Sequence, residues 1–168
     1  MNSLIWMFLA VFIIHDFEEI ITVEPWMKKN YSQISALIPK PLENVLKKFS
    51  TIKSSQFAIA VLIEFVVFVP TTYMAAEYRE YGLFLGFNVI LFIHVFTHLL
   101  QSIFLRRYTP GVVTAIFLIL PYTVYLFYRF VDDGLVSLSG IWESGLAGLI
   151  ILPIVFLGHL IAGKIIRV

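Results

Sequence analysis

Gly82–Leu105, GLFLGFNVILFIHVFTHLLQSIFL, is a run of 24 residues without Lys, Arg, Asp or Glu. A helix of this length, rising ~1.5 Å per residue, crosses a ~30 Å hydrocarbon core with residues to spare. The apolar residues are continuous rather than alternating, so the run reads as a membrane helix and not as a strand of a membrane barrel. Within it, Asn88, His94, Thr97, His98 and Gln101 are polar residues that lipid alone does not welcome.

Working outward, four more segments have spanning length, at roughly 4–23, 57–74, 111–128 and 141–163. His15, Asp16, Glu18 and Glu19 interrupt the first of them. The composition agrees with a membrane setting. Hydrophobic residues make up 60% of the chain and charged residues 14%, against ~45–50% and ~25% in soluble domains. With a mean hydropathy of +0.90, much of the apolar surface must face lipid. The expectation is one all-α domain, 1–168, built as a bundle of about five transmembrane helices in a cell membrane. Met1–Leu9 has no Lys or Arg and no small-residue cleavage signature follows it, so the first helix is expected to be retained. A net charge of +1 offers no field for nucleic acid, and the lack of cysteine excludes disulfides and thiolate metal sites.

The connection 24–56 differs in character. It carries six lysines, with Pro25, Pro39 and Pro41 as punctuation. After Pro41, Leu42, Val45, Leu46 and Phe49 share one helical face, while Glu43, Lys47 and Lys48 lie off it, the pattern of a helix resting in the membrane interface. Lys28, Lys29, Lys40, Lys47, Lys48, Lys53, Arg106, Arg107, Lys164 and Arg167 fall on one side of a five-span topology, leaving Arg79 and Arg129 on the other. The positive-inside rule then predicts N-out and C-in. Trp6, Trp26 and Trp142 lie near predicted boundaries, as interfacial anchors do.

All four histidines lie within predicted spans: His15 in the first, His94 and His98 in the third, His159 in the fifth. Asp16, Glu18 and Glu19 lie beside His15, and Glu64 stands in the second span. Ionisable groups at membrane depth cost several kcal/mol unless paired, hydrated or metal-bound. His15, Glu18 and Glu19 are spaced i, i+3, i+4 and share a helix face, and His94, Thr97, His98 and Gln101 form a second stripe. His15, Glu64, His98 and His159 lie at similar distances from the basic ends of their helices, within ~10 Å along the membrane normal. One polar cavity in that half of the bundle is expected.

Imidazoles and carboxylates are ligands for zinc, iron or manganese, and an i, i+4 histidine pair lets one helix supply two of them. The candidate ligands are His15, Glu18, Glu19, His94, His98 and His159, with a divalent metal as cofactor. Glu18 or Glu19 can instead act as general base. Each residue has a plainer reading: His159 alone is more often a hydrogen-bonded structural residue, and Glu64 a protonated acid bonded to a neighbouring helix. Asp16 points away from His15 on a helical wheel.

The run His15-Asp-Phe-Glu18-Glu19 resembles the motif that names the HXXEE family of small membrane proteins of unassigned function. The resemblance implies that His15, Glu18 and Glu19 are signature positions and that Asn88, His94 and His98 match the histidine and asparagine types of a family active site. Tyr108–Thr114, YTPGVVT, also looks like family sequence.

The expected function is a metal-dependent enzyme at the cytoplasmic membrane face, hydrolysing a lipid or lipid-linked substrate, with the lysine-rich loop holding anionic headgroups. Two alternatives use the same residues: a non-haem di-iron lipid oxidoreductase, and a proton-coupled or metal-ion transporter. The outer half carries few polar residues for a through-path, chiefly Asn88 and Thr71–Thr72. Five helices bury little internal surface, which leaves room for a homodimer.

Overall fold

The computed structural model describes residues 1–166, and every regular element among them is helical. Arg167 and the side chains of Leu42, Val45, Lys48 and Phe49, which the sequence assigns to the basic side and to the interfacial stripe, lie outside the described residues. The elements are α1 (Asn2–Ser35), α2 (Lys40–Ser50), α3 (Ser54–Tyr78), α4 (Tyr81–Leu105), α5 (Val112–Thr114), a π-helical stretch (Ala115–Ile119), α6 (Leu120–Asp132), α7 (Leu138–Gly148) and α8 (Ile151–Ile165). α5, the π stretch and α6 form one helix, Val112–Asp132, and α7 with α8 form another, Leu138–Ile165. These two, together with α3 and α4, are four helices long and apolar enough to cross a membrane. α1 has the length, but Asp16, Glu18 and Glu19 dilute its hydropathy.

α1 does not stop at Val23. It continues through Pro25 to Ser35, so residues 24–35 are helix rather than loop. Pro25 removes one backbone donor, and contacts from elsewhere hold the helix beyond it. Trp26 Nε1 donates to the Tyr108 carbonyl at 2.7 Å, and Arg107 donates to Asn30 Oδ1 and Gln33 Oε1, both at 2.6 Å. Pro70 is likewise carried inside α3, which runs four residues past its expected end. The i→i+5 register of the π stretch lies just ahead of Pro121, which has no N–H to donate. The last span is broken at Leu149–Ile150, ahead of Pro153, and the break sends its halves to different neighbours.

α7 lies along α4 and α8 along α3, while α1 packs on the other flank of α3. The α4–α7 crossing is set by glycine. A Cβ on Gly86 would overlap the Ser144 carbonyl and the Gly148 backbone, and one on Gly148 would overlap Gly86. Close backbone approach through small residues replaces hydrophobic drive where lipid is the solvent. Between α1, α3 and α4, Phe8, Phe12, Phe68, Phe84 and Phe87 form a ladder of ring contacts, with centroids 4.7 to 6.4 Å apart.

Polar ties gather one end. Glu24 accepts from Lys28 Nζ at 2.7 Å, from the Ser54 amide at 3.0 Å and from Lys53 Nζ at 3.4 Å, joining α1 to the start of α3. Gln56 Nε2 donates to the Ile166 carbonyl at 3.0 Å and ties in the end of α8. Lys28, Lys53, Arg107 and Lys164 therefore share this end of the bundle.

Candidate functional site

An α-helix turns about 100° per residue, so α1 fans its four polar residues across its neighbours. Taking His15 as reference, Glu18 lies about 60° to one side, Glu19 about 40° to the other and Asp16 about 100° to that same side. Each direction meets a different partner.

Glu18 faces the turn after α4. Thr109–Pro110–Gly111–Val112 closes with Val112 N–H donating to the Thr109 carbonyl at 3.2 Å and Gly111 at φ 82, the form of a type II turn with Pro and Gly in their favoured places. Four donors converge on the Glu18 carboxylate: Thr114 Oγ1 at 2.6 Å, Thr114 N at 2.8 Å, Tyr108 Oη at 2.8 Å and Val113 N at 3.4 Å. Two are free amides of a helix N-terminus, where a carboxylate is favoured. Glu18 thus latches the turn onto α1.

The latch reaches His15. Thr114 Oγ1 lies 2.8 Å from His15 Nδ1, and its one proton is directed to Glu18. Thr114 must then accept, which places the proton of neutral His15 on Nδ1 and leaves a lone pair on Nε2. Nε2 is buried and has no hydrogen-bond partner.

His15 and Glu19 face α4. The His15, His94 and His98 ring centroids are 4.2 to 5.7 Å apart. His94 Nε2 and His98 Nε2 approach to 2.7 Å, and Glu19 Oε1 lies 3.3 Å from His98 Nε2. His15 and His98 are 1% and 3% exposed. One ligand atom from each of His15, Glu19, His94 and His98 falls within 4.8 Å of the other three. Ligands held ~2.0–2.2 Å from one ion need that spread after a small closure. Three imidazole nitrogens and one carboxylate suit zinc, iron or manganese. The threonine bonded to the far nitrogen of His15 is the kind of outer partner that orients a ligating imidazole. The donor set and the orphaned Nε2 therefore fit a divalent cation. Gly111 forms the floor: a Cβ there would stand 2.6 Å from His98 Cε1, 2.8 Å from Glu19 Oε1 and 3.0 Å from His15 Cε1.

Asp16 faces a chamber of about 330 Å³ among α1, α3, α4 and α8, within the range of small-molecule pockets. Its walls are mostly apolar, so it is less polar than the sequence predicts. His15, Glu19 and His94 present the cluster on one side, and Asp16, Glu64 and His159 also line it.

A family model described as "Protein of unknown function with HXXEE motif" matches residues 6–126. The chain belongs to the HXXEE family. No curated protein and no solved structure matches it. The matched residues carry the four-residue cluster, the latch and the chamber carboxylates, whereas His159 lies beyond them.

Of the residues singled out from the sequence, His15, Glu19, His94 and His98 come together. Glu18 turns away to the 108–114 turn. His159 stands apart from the cluster, its ring 5.4 Å from that of Phe57. Asn88 is fully buried in α4, donates to the Phe84 carbonyl at 2.9 Å and does not line the chamber. Glu64 makes no hydrogen bond to a neighbouring helix among the described residues, contrary to the plainer reading of it. Sequence reasoning noted the stretch Tyr108–Thr114 but gave Gly111 and Thr114 no role at the site, although Pro110-Gly111 is a turn signal and Thr114 opens the next helix.

Proposed function

We propose that this HXXEE protein is a metal-dependent enzyme of the cell membrane that hydrolyses a lipid or lipid-linked substrate. The observation that carries the reading is the convergence of His15, Glu19, His94 and His98 within 4.8 Å, with the first three on the wall of a mostly apolar chamber. His15, His94 and His98 would hold the cation, with Glu19 as fourth ligand or as the group that takes a proton from the attacking water. The bound ion supplies Lewis acidity, polarising an ester, amide or phosphoester for that attack. Gly111 keeps the floor free of a side chain, and Glu18 with Thr114 keeps His15 in one tautomer. An ion path would call for polar walls, so the phenylalanine-lined chamber favours an amphiphile over transport.

The orientation is part of the same proposal. Lys28, Lys53, Arg107 and Lys164 gather at one end, while Glu77, Glu80, Asp132 and Asp133 sit with Arg79 and Arg129 at the opposite helix ends. Positive-inside bias then places the first end in the cytoplasm, with α1 as a fifth span, α2 in the interface and the N-terminus outside.

Elemental analysis of the detergent-purified protein beside His15→Ala and His98→Ala variants tests the metal. Stoichiometric zinc, iron or manganese is expected in the wild type and in neither variant. A wild type without metal, even after reconstitution, would overturn the reading.

A further inference from the structure

We propose that the chamber receives an amphiphile whose polar end is a primary ammonium group, with Asp16 and Glu64 as its receptor. The inference rests on taking the chamber as the substrate site, and it names the substrate's chemistry. Asp16 is 6% exposed, lines the chamber and has an Oδ2 atom buried without a partner. Glu64, across from it on α3, lines the same chamber and makes neither a hydrogen bond nor an ion pair among the described residues. No lysine or arginine lines this space.

Carboxylates between apolar walls are costly to leave alone. The latch shows what satisfaction looks like here, with four donors on Glu18. Nothing comparable reaches Asp16 or Glu64 among the described residues: His15, His94 and His98 bond to Thr114 or to each other, and His159, which also lines the chamber, packs its ring on Phe57. A divalent ion at the histidine cluster would balance two of the three chamber carboxylates and leave one uncompensated. A cationic group on the ligand would compensate it. Phe8, Phe12, Phe57, Phe68 and Phe87, with aliphatic residues of α4 and α8, supply the remaining apolar wall, and aromatic faces accept both an alkyl chain and a nearby cation. A primary ammonium on a long chain offers three donors to the two carboxylates and apolar surface to the rings. An alcohol head offers no charge, and a carboxylate head would be repelled.

The test is binding of dodecylamine, dodecanol and dodecanoate to the full-length protein in a neutral detergent, read by calorimetry. The amine is expected to bind at least about tenfold more tightly than the alcohol, the scale of one buried charge pair, with dodecanoate weakest. Asp16→Asn and Glu64→Gln should each bring the amine down to the alcohol's affinity. Glu64→Gln, on α3 rather than on the two helices that carry the histidine cluster, decides the matter if Asp16→Asn cannot be purified. Equal affinity for amine and alcohol, or an amine preference that survives Glu64→Gln, would overturn the proposal. Metal content measured on the same samples separates the two readings. Metal without amine preference removes this inference alone, whereas amine preference without metal upholds it and removes the hydrolase reading.

Discussion

Two walls of the same site are built on opposite terms. On the latch side, Glu18, Thr114, Tyr108 and His15 leave the Glu18 carboxylate surrounded by donors at 2.6 to 3.4 Å. On the chamber side, Asp16 and Glu64 line a mostly apolar space, and neither has a hydrogen bond or ion pair among the described residues. Both sets grow from neighbouring residues of α1 or face it, with Glu18 at a partly exposed edge and Asp16 buried. The difference is what each was given to bind. A saturated carboxylate holds the protein together, and an unsaturated one is kept at a cost in stability for something that arrives from outside.

The largest expected effect comes from breaking the latch side at its floor. Gly111→Ala places a methyl group against His98, Glu19 and His15 at a residue with φ 82. The left-handed conformation alone costs a residue with a Cβ ~1–2 kcal/mol, and the imidazoles must also shift. The variant should still insert in membranes but lose its metal and several degrees of thermal midpoint, as read by elemental analysis and a melt in detergent. Thr114→Val is next. It removes the hydroxyl that sets the His15 tautomer, and loss of such an outer partner lowers metal affinity ~10–100-fold. Thr114→Ser should restore most of it. Nitrogen chemical shifts of His15 would show Nδ1–H in the wild type and in Ser, and a mixture of tautomers in Val.

The chamber side should respond with the opposite sign. Asp16→Asn and Glu64→Gln remove a carboxylate with no compensating partner among the described residues, so each is expected to raise the unliganded protein's stability by about 1 kcal/mol. A lowered thermal midpoint would mean that these carboxylates have partners in the protein, and the contrast between the walls would be lost.

The helix faces that build the site were readable in the sequence, but the contrast between its walls was not. The helix period alone puts His15, Glu18 and Glu19 on one face, and the i, i+4 spacing alone pairs His94 with His98. What the period cannot say is that a span of about 100° on that face is wide enough for two neighbours. Glu18 and Glu19 are adjacent in sequence yet serve different walls, because the 108–114 turn lies on one side of His15 and α4 on the other. That placement depends on contacts about 90 residues apart in sequence, such as Thr114 with Glu18. The continuation of α1 past Pro25 was hidden for the same reason, since Trp26, Asn30 and Gln33 are held by Arg107 and Tyr108. The α4–α7 crossing was written locally: Ser144, Gly145 and Gly148 put small residues on one face of α7, the pattern that marks close helix packing in membranes, and they meet Gly86 and Val89 of α4.

The smallest effect provides the control that belongs to neither wall. Glu24 lies past the apolar part of α1 and ties it to α3 through Lys28, the Ser54 amide and Lys53. Lys28 and the Ser54 amide, with Lys53 behind them, hold its carboxyl down to about 2 from an ordinary 4.5. A depressed carboxyl contributes stability that is fully present above its unfolded value and is lost as pH falls through the folded one. The difference in thermal midpoint between the wild type and Glu24→Gln should therefore be constant above pH 4.5 and shrink toward nothing near pH 2. Metal content at neutral pH should be the same in both. A Glu24→Gln variant that lost metal would mean that the latch depends on how α1 and α3 meet at the basic end, and the two walls would no longer be separable from the frame that carries them.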